Sequence, residues 1–320
     1  MPVLGSSGLE VFPLALGTNT FRWTASAEES HRILDAFVAG GGTFIDTADV
    51  YSVWAPGSTG GDAETVIGEW LAAGADRDKV VIATKVSAHP ALPGLKPGTI
   101  ATAIEQSLKR LQTDYVDVYY AHIDDPDTPL EESVAAFDDL VRRGLVRHVG
   151  LSNYTAERAQ AWIDVARACG AALPVSLQPH YNLLHRTDFE RRLRPVAERN
   201  DLGVVPYYGL ASGFLTGKYR SAADAAGTRR GATIGDYLTE AGFAAVSELR
   251  AVAAELSVAP ATVALAWLRV QPTVVAPIAS VSAAEQLDAL LASATLDLSP
   301  GQLDRLTAAS DAFAATRTAA

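Results

Sequence analysis

Residues 43–51 read TFIDTADVY, and their pattern indicates the type of fold. A short apolar run, typical of a buried strand, leads directly into Asp46 and, five residues later, Tyr51. Two later stretches repeat the pattern: KVVIATK (79–85) ends on Lys85, and VDVYYAHI (116–123) contains His122. Each of the four residues thus lies at or just after the carboxyl end of a predicted strand. A parallel barrel would bring those ends together at one rim, where such barrels carry their chemistry.

Working outward from this stretch, short β-branched runs alternate with helical patterns along the whole chain. The predicted strands are Leu14–Leu16, Thr43–Ile45, Val80–Thr84, Val116–Ala121, Val146–Gly150, Val175–Gln178, Val204–Tyr207 and Thr273–Pro277. Predicted helices over residues 26–40, 99–111, 129–144 and 155–170 begin at Ser, Thr or Pro, and most end at Gly. We therefore predict an α/β fold, a (β/α)8 TIM barrel, as one domain over residues 1–320.

A hairpin is predicted before the barrel, across Val3–Phe12, with Ser6, Ser7 and Gly8 as its turn. It would precede the first strand of the barrel.

Composition favours a globular enzyme. The 320 residues are 48% hydrophobic and 20% charged, enough for a large core. A net charge of −11 without clustered Lys and Arg argues against nucleic-acid binding. No leader pattern and no run of about 18 apolar residues is seen, so we expect no membrane partner and a cytoplasmic location. The one cysteine, Cys169, excludes an internal disulfide and is expected to pack inside a helix.

The four rim residues predict proton transfer to a carbonyl. A lysine cation beside a tyrosine favours the phenolate, so we expect Lys85 to lower the pKa of Tyr51 and make it a proton donor. Taken singly, each residue has a structural alternative: a turn cap for Asp46, rim packing for Tyr51 and His122, and a solvated strand end for Lys85. Their ordered combination favours the catalytic interpretation.

Carbonyl reduction needs a nicotinamide, yet the usual dinucleotide fingerprint, G-x-G-x-x-G between a strand and a helix, does not occur. The glycines at 40–42 end a predicted helix and lead into a strand, which is the wrong order. Those at 57–61 lie in a loop with no strand directly before them. A cofactor must be held in another way.

Several motifs carry a resemblance that covers nearly the whole chain: FIDTADVYS (44–52), ATK (83–85), YYAHID (119–124), VGLSNY (149–154), LQPHYNLL (177–184) and GFLTGKY (213–219). In this order they resemble the aldo-keto reductase superfamily, in the bacterial branch that is also similar to potassium-channel β subunits. The resemblance implies that Tyr51 donates a proton to the substrate oxygen and that Lys85 lowers its pKa. Asp46 would pair with Lys85, and His122 would orient the carbonyl.

The same resemblance implies a nicotinamide cofactor, NADP(H) favoured and NAD(H) possible. Ser152, Asn153 and Gln178 would bind the carboxamide and Tyr207 would stack on its ring. Backbone N–H groups of the 209–213 loop would bind the pyrophosphate, with Lys218 nearby. The implied cofactor-binding set is Gly17, Thr18, Asp46, Ser152, Asn153, Gln178, Tyr207, Gly209, Leu210, Ala211, Gly213, Lys218, Ser280, Ser282 and Gln286.

Two departures from the family pattern concern this set. After the eighth strand, where many members carry a lysine and an arginine for the 2′-phosphate of NADP, this chain has Ser280, Ser282 and Gln286. Hydroxyls and a helix starting near Ser282 would bind the phosphate instead, with Arg229 or Arg230 folding over it. Tyr208-Gly209 also replaces the usual Ser-Pro.

Substrate would be a small-molecule carbonyl, fairly apolar or aromatic, because Phe21, Trp23 and Trp54 are placed to line the mouth; covering the barrel end is their structural alternative. Two other functions stay open. One is a nicotinamide-binding regulatory or sensor subunit with vestigial catalysis. The other is a metal-dependent barrel hydrolase using His122, Asp124 and Asp125, although the first strand lacks a His-x-His ligand pair, and we expect no metal. Oligomeric state is not predicted.

Overall fold

A computed structural model of the protein describes residues 1–228 and 231–318. Its centre is one eight-stranded sheet in which every neighbouring pair is parallel. The strands follow one another around the sheet in chain order, and β8 pairs with β1. They are β1 Ala15–Gly17, β2 Phe44–Asp46, β3 Val81–Val86, β4 Val116–Ala121, β5 Val146–Ser152, β6 Pro174–Gln178, β7 Gly203–Val204 and β8 Ile278–Ala279.

Backbone hydrogen bonds also join the two edges of this sheet. Val204 in β7 donates to the carbonyl of Thr273 (2.9 Å) and accepts from the N–H of Val275 (2.8 Å). The N–H of Ile278, at the start of β8, donates to the carbonyl of Pro206 (2.9 Å). β7 therefore contacts the segment that leads into β8, an arrangement consistent with a (β/α)8 barrel.

Helices connect the strands and pack outside the sheet. The described ones are α1 Ala27–Ala39, α2 Asp62–Ala72, α3 Pro97–Leu111, α4 Leu130–Arg142, α5 Ala156–Cys169, α6 Arg194–Asn200, α7 Ala222–Ala225, α8 Glu240–Glu255, α9 Pro260–Arg269, α10 Leu287–Leu291 and α11 Pro300–Thr318. The four predicted helices are confirmed as α1, α3, α4 and α5. Ser26 and Thr155 cap α1 and α5 by accepting backbone N–H bonds, and Gly170 ends α5 in the left-handed conformation.

Two apolar clusters fill the fold, and strand alternation separates them. Val81 and Ala83 of β3 belong to the cluster inside the sheet, whereas Ile82 and Val86 belong to the larger cluster beneath the helices. Because side chains along a strand alternate between faces, Lys85 shares the inner face with Val81 and Ala83. The inner cluster thus leads directly to the ammonium group of Lys85 at the carboxyl end of the strand.

Two predicted strands differ from the structure in their bounds. The predicted strand over 204–207 stops at Val204, since Pro206 has no N–H to donate to a ladder. The eighth strand follows Pro277 instead of ending on it, although Val274 forms an isolated parallel bridge with Val204.

The N-terminal hairpin is not confirmed. Residues Gly5–Ser7 form a 3-10 turn, and a single antiparallel bridge pairs Val3 with Glu10. The hydroxyl of Ser7 donates to the Leu4 carbonyl and accepts from the Leu9 N–H, so the turn satisfies its polar groups locally and no ladder extends from it.

The expectation of a packed thiol is wrong. Cys169 is the last residue of α5, and its side chain is exposed.

Among the described residues no single helix is long and apolar enough to cross a membrane. Helices Glu240–Glu255 and Pro260–Arg269 reach the necessary length and hydropathy only together, and a 98° bend separates them.

A cluster of polar side chains lies on the outer face of β3, opposite to the face that carries Lys85. Glu64 of α2 accepts a hydrogen bond from Thr84 of β3 and pairs with Arg110 of α3 (2.7 Å). Nearby Asp49 is 2% exposed, and both its carboxylate oxygens lack a hydrogen-bond partner among the described residues. Burial, and then the negative charge of Glu64, raise the pKa of Asp49 to about 7.

We expect Asp49→Asn to remove a pH-dependent loss of stability. The folded pKa lies about three units above the ordinary value, so the stabilising effect of the protonated carboxyl is complete below about pH 4 and is lost as the pH rises through about 7. From pH 5 to pH 8 the free energy of unfolding of the unsubstituted protein should fall by about 3 kcal/mol relative to the variant. Denaturant titrations at both pH values measure this.

Asp304→Asn, at an exposed position of α11, is the matched control and should leave the pH dependence unchanged. Parallel stability curves for the unsubstituted protein and Asp49→Asn would contradict the prediction.

Candidate active site

Lys85 is the centre of a hydrogen-bonded cluster at the carboxyl ends of β2 and β3. Its ammonium group donates to Asp46 Oδ2 (2.7 Å), to the carbonyl of Thr47 (2.7 Å) and to the hydroxyl oxygen of Tyr51 (2.8 Å). An ammonium has three protons, so all of them are used. Lys85 and Asp46 are both fully buried, which makes this ion pair part of the interior.

A tight turn after β2 brings Tyr51 back to the carboxyl end of that strand. The chain leaves β2 at Asp46 and turns, with the N–H of Tyr51 donating to the Ala48 carbonyl (3.2 Å). Ser52 then adopts a positive φ of 73°, and its hydroxyl donates to the Phe21 carbonyl (2.7 Å). This turn holds the Tyr51 ring over the Lys85 ammonium, with Nζ 4.5 Å from the ring centroid.

Asp46 links three strands through its two oxygens and its backbone. Oδ2 accepts from Lys85 and from the Tyr51 hydroxyl (3.1 Å), and Oδ1 accepts from Gln178 Nε2 of β6 (2.8 Å). The backbone carbonyl of Asp46 accepts from both the N–H and the hydroxyl of Thr18, just beyond β1 (3.0 Å each). Asp46 is therefore held in one orientation by Lys85 of β3, Gln178 of β6 and Thr18, just beyond β1.

His122 lies beside this cluster, directly after β4. Its ring centroid is 6.3 Å from that of Tyr51, with the planes at 73°. Its Nδ1 is buried and has no hydrogen-bond partner among the described residues. Burial, together with the positive charge of Lys85, holds the pKa of His122 well below its ordinary value, so the imidazole is neutral at pH 7.

The expected lowering of the Tyr51 pKa is not what the structure gives. Burial, and after it the carboxylate of Asp46, raise the pKa of Tyr51 well above its ordinary value. Burial also lowers the pKa of Lys85, against the opposing effect of Asp46. The sequence argument considered the lysine alone, whereas the folded site adds desolvation and a carboxylate bonded to the same hydroxyl. Tyr51 therefore keeps its proton at neutral pH.

Ser152, Asn153 and Tyr207 form a polar chain next to His122. Asn153, which has a positive φ of 56°, donates from Nδ2 to the His122 carbonyl (2.8 Å) and to the Ser152 hydroxyl oxygen (3.1 Å). Asn153 Oδ1 accepts from the Tyr207 hydroxyl (2.8 Å), and the Ser152 hydroxyl donates to the Gln178 carbonyl (2.9 Å). These residues thus join the His122 backbone to the end of β6 and to the segment after β7.

The glycine-containing loop after β7 has an unusual backbone. Tyr208, Ala211, Ser212 and Gly213 all have positive φ values, between 48° and 92°. The N–H of Ala211 donates to the Tyr208 carbonyl and that of Gly213 to the Leu210 carbonyl (2.8 Å each), so these two groups are already used. A Cβ added at Gly213 would lie 3.5 Å from the ammonium of Lys218, which places that cation against the loop.

The segment after β8 is bound mainly to itself and to β1. The Ser280 hydroxyl donates to Asn19 Oδ1 (2.7 Å), and the Ser282 N–H donates to Gln286 Oε1 (2.9 Å). A Cβ at Gly17 would lie 2.5 Å from Ser280 Oγ, so the absence of a side chain at residue 17 leaves room for the Ser280 side chain beside β1. The helix predicted to start near Ser282 begins two residues later, with a 3-10 turn over Ala284–Gln286. The five-residue helix α10 follows that turn.

A cation that sequence reasoning missed lies beside this segment. Arg32 of α1 pairs with Glu285 (2.8 Å) and with Glu29 (2.7 Å). Arg32 is far from β8 along the chain, and the residues around it in the sequence do not predict this contact. Arg229 and Arg230, the cations expected here, lie outside the described residues.

Of the three aromatic residues expected to line the mouth, Trp54 lies at the surface beside Tyr51, and half-buried Trp23 packs against Trp54. Trp54 is 45% exposed, with its ring centroid 6.1 Å from that of Tyr51 and 5.9 Å from that of Trp23. For Phe21 the prediction is wrong: the residue is fully buried in the main apolar cluster, where removing a large apolar ring from water is favourable. It does not line an open mouth.

The acids near His122 are engaged in structural contacts. Asp124 forms a two-bond ion pair with Arg158 (2.7 and 2.8 Å). Asp125 accepts from the Leu95 N–H and the Thr128 hydroxyl (2.7 Å each). Within the described ranges no group of three or more His, Cys, Asp or Glu side chains is arranged to hold a metal ion.

Several known proteins are similar to this chain along most of its length. The model of the Aldo/keto reductase family matches residues 13–311. The "Uncharacterized oxidoreductase YrpG" of Bacillus subtilis is 38% identical over 89% of this chain and 87% of its own length. The "Probable voltage-gated potassium channel subunit beta" of Oryza sativa subsp. japonica is 34% identical (85% and 84%). The "L-glyceraldehyde 3-phosphate reductase" of Escherichia coli is 32% identical (89% and 84%). The chain therefore belongs to the aldo/keto reductase family, in the branch that includes proteins similar to potassium-channel β subunits.

Proposed function

We propose that this chain, acting as one barrel domain over residues 1–320, is an NAD(P)H-dependent oxidoreductase that reduces aldehydes or ketones to alcohols. The observation that carries the proposal is the buried cluster in which Lys85 donates to both Asp46 and Tyr51. Membership of a family with oxidoreductase-named relatives supports the reaction class.

Tyr51 is the proposed proton donor. Its raised pKa keeps the hydroxyl protonated between turnovers, and rotation about the C–O bond would turn the hydrogen from Asp46 towards a substrate oxygen. When the proton leaves, the Lys85 ammonium, 2.8 Å from the phenol oxygen, already donates to the new anion. A donor in place before charge develops needs no reorganisation, which is the main source of electrostatic catalysis.

Asp46 and His122 complete the proposed arrangement. The two bonds that Asp46 accepts from Lys85 and Gln178 prevent the lysine from turning away from Tyr51. A neutral His122, next to the Tyr51 ring, can donate to a carbonyl oxygen without adding charge to the ground state. It would therefore orient the carbonyl so that Tyr51 is within hydrogen-bonding reach.

The residues around this cluster fit a nicotinamide. Asn153 Oδ1 accepts one bond and has a second lone pair, and the amide oxygen of Gln178 is a further acceptor, so both suit the N–H groups of a carboxamide. The Tyr207 ring would support the nicotinamide face. When bound, the reduced nicotinamide supplies a hydride to the carbonyl carbon.

The 209–213 loop suits a pyrophosphate. With the N–H groups of Ala211 and Gly213 used internally, the donors that we propose are those of Gly209, Leu210 and Ser212. The Lys218 ammonium beside Gly213 adds a positive charge. Consecutive left-handed residues form the kind of concave array of N–H groups that binds anions.

We favour NADP(H) over NAD(H), on the basis of the family resemblance. The groups available for a 2′-phosphate are the hydroxyls of Ser280 and Ser282, together with Gln286. Ser282 Oγ lies 2.9 Å from Thr24 Oγ1, so one hydroxyl of this pair can turn its hydrogen towards a phosphate oxygen.

Trp54 and Trp23 are the proposed walls of the substrate mouth, and the exposed ring of Trp54, packed edge-on against half-buried Trp23, favours an apolar or aromatic carbonyl. A regulatory subunit with vestigial catalysis is the second candidate, supported by the relative named as a channel β subunit. The intact Lys85 cluster favours the enzyme.

Tyr51→Phe should lower kcat for aldehyde reduction by about 10²–10⁴-fold, because it removes the donated proton and leaves the ring in place. The dissociation constant of the reduced cofactor should not change. Steady-state kinetics and cofactor fluorescence titration measure the two effects.

Tyr115→Phe, at an exposed hydroxyl before β4, is the matched control and should retain full turnover. Unchanged turnover in Tyr51→Phe would refute the proton-donor role. Tight cofactor binding by the unsubstituted protein, with no turnover across a panel of carbonyls, would favour the regulatory candidate.

NADPH should bind more tightly than NADH, and Ser282→Ala should reduce the difference between the two dissociation constants. Loss of one hydrogen bond to a charged phosphate weakens NADPH binding by about 10-fold, while NADH, which lacks the 2′-phosphate, is unaffected. Fluorescence titrations of both cofactors test this, with Ser6→Ala in the exposed N-terminal turn as control. Tighter binding of NADH by the unsubstituted protein would overturn the preference for NADP(H).

A further inference from the structure

Three aromatic rings form a continuous stack behind the proposed cofactor site. The rings of His180 and His185 are almost parallel (6°), with centroids 3.8 Å apart. His180 in turn stacks on Tyr207, at 5.4 Å and 22°. We name His185, His180 and Tyr207 the ring column. It ends on Tyr207, whose hydroxyl reaches Asn153.

Backbone hydrogen bonds hold the layers of the ring column together. His180 and Tyr207 form a parallel bridge, and the N–H of Tyr207 donates to the Pro179 carbonyl (3.0 Å). His185 is returned to His180 by a tight turn, in which its N–H donates to the Asn182 carbonyl (3.0 Å). The column thus depends on two segments that follow β6 and β7.

One face of the Tyr207 ring remains uncovered by its aromatic neighbours. The Tyr208 ring lies 5.1 Å from Tyr207 and 5.2 Å from His180, nearly perpendicular to both. Since Tyr207 and His180 are themselves 5.4 Å apart, these distances form a nearly equilateral triangle. Tyr208 therefore lies alongside the stack, and the face of Tyr207 opposite His180 is covered by neither ring.

Charge does not disturb this stack at neutral pH. Burial, and the neighbouring His185, lower the pKa of His180 to about 3, and burial also lowers that of His185. Both imidazoles are therefore uncharged, and two flat neutral rings can stack without electrostatic repulsion.

We propose that His180 and His185 are positioning residues that hold the Tyr207 ring in the plane on which a nicotinamide stacks. The inference rests on the proposed function, because the ring column has a positioning role only if Tyr207 contacts the nicotinamide ring. Neither histidine touches the cofactor: each acts through the layer in front of it, and flatness, not a ring nitrogen, is the property required.

The test compares His180→Leu, which keeps bulk but loses the flat ring, with His180→Phe, which keeps a flat ring. Fluorescence titration measures the dissociation constants of NADPH and NADH, and competition titration measures that of 2′,5′-ADP, which lacks the nicotinamide. We expect His180→Leu to weaken both complete cofactors by about 3- to 10-fold and to leave 2′,5′-ADP unchanged. His180→Phe should restore cofactor binding.

His185→Leu and His185→Phe repeat the comparison one layer further back and keep the proposal testable if His180→Leu does not fold. A smaller weakening with the same rescue is expected. His148→Gln, in the first half of β5, is the control, and should bind all three probes as the unsubstituted protein does.

If the Leu variants bind the cofactors as tightly as the unsubstituted protein does, the positioning role of the ring column is refuted. The proposed function is then unaffected. Equal weakening of NADPH and 2′,5′-ADP would also overturn the positioning role, because a general structural defect affects both halves of the cofactor. No binding of either nicotinamide cofactor by the unsubstituted protein would overturn both proposals.

Discussion

The buried ammonium of Lys85 is the constraint on which the rest of the site depends. A charged group without solvent is costly unless it is paired and fully hydrogen-bonded, and Lys85 meets this condition only when Asp46, Thr47 and Tyr51 surround it. Its three protons therefore determine where the end of β2 and the following turn must lie. Any movement of Tyr51 away from the strand ends would leave one proton without a partner.

Adjacent residues of β3 serve two different polar clusters. The Thr84 side chain points to the outer face and donates to Glu64, whereas the Lys85 side chain points inward to Asp46. Strand alternation thus separates an inner ion pair from an outer one, in which Glu64 pairs with Arg110. Asp49, in the turn between Asp46 and Tyr51, brings its buried carboxyl close to the outer cluster, and the turn experiences the charges of both.

Strand positions in the middle of the barrel were predictable because local sequence dominates there. Val116–Ala121 was predicted residue for residue, since β-branched and aromatic side chains are buried on both faces. Prediction failed at Pro206, whose missing N–H interrupts the ladder of β7, at Pro277, which precedes β8 instead of ending it, and at Phe21, whose burial depends on the helices packed around it. Arg32 and the His180–His185 stack carried no sequence signal, because their contacts join segments whose approach is set by tertiary structure.

Local sequence specifies the alternation of strands and helices and the residue types at the strand ends, because hydrophobic period and strand-end position are local properties of a chain. The family resemblance follows from the same local motifs. The electrostatic state of the site arises only on folding: Tyr51 has a raised pKa, contrary to the sequence-based expectation, because burial and Asp46 act on it together. Desolvation depends on every atom that excludes water from a group, and no stretch of sequence specifies those atoms before the chain has folded.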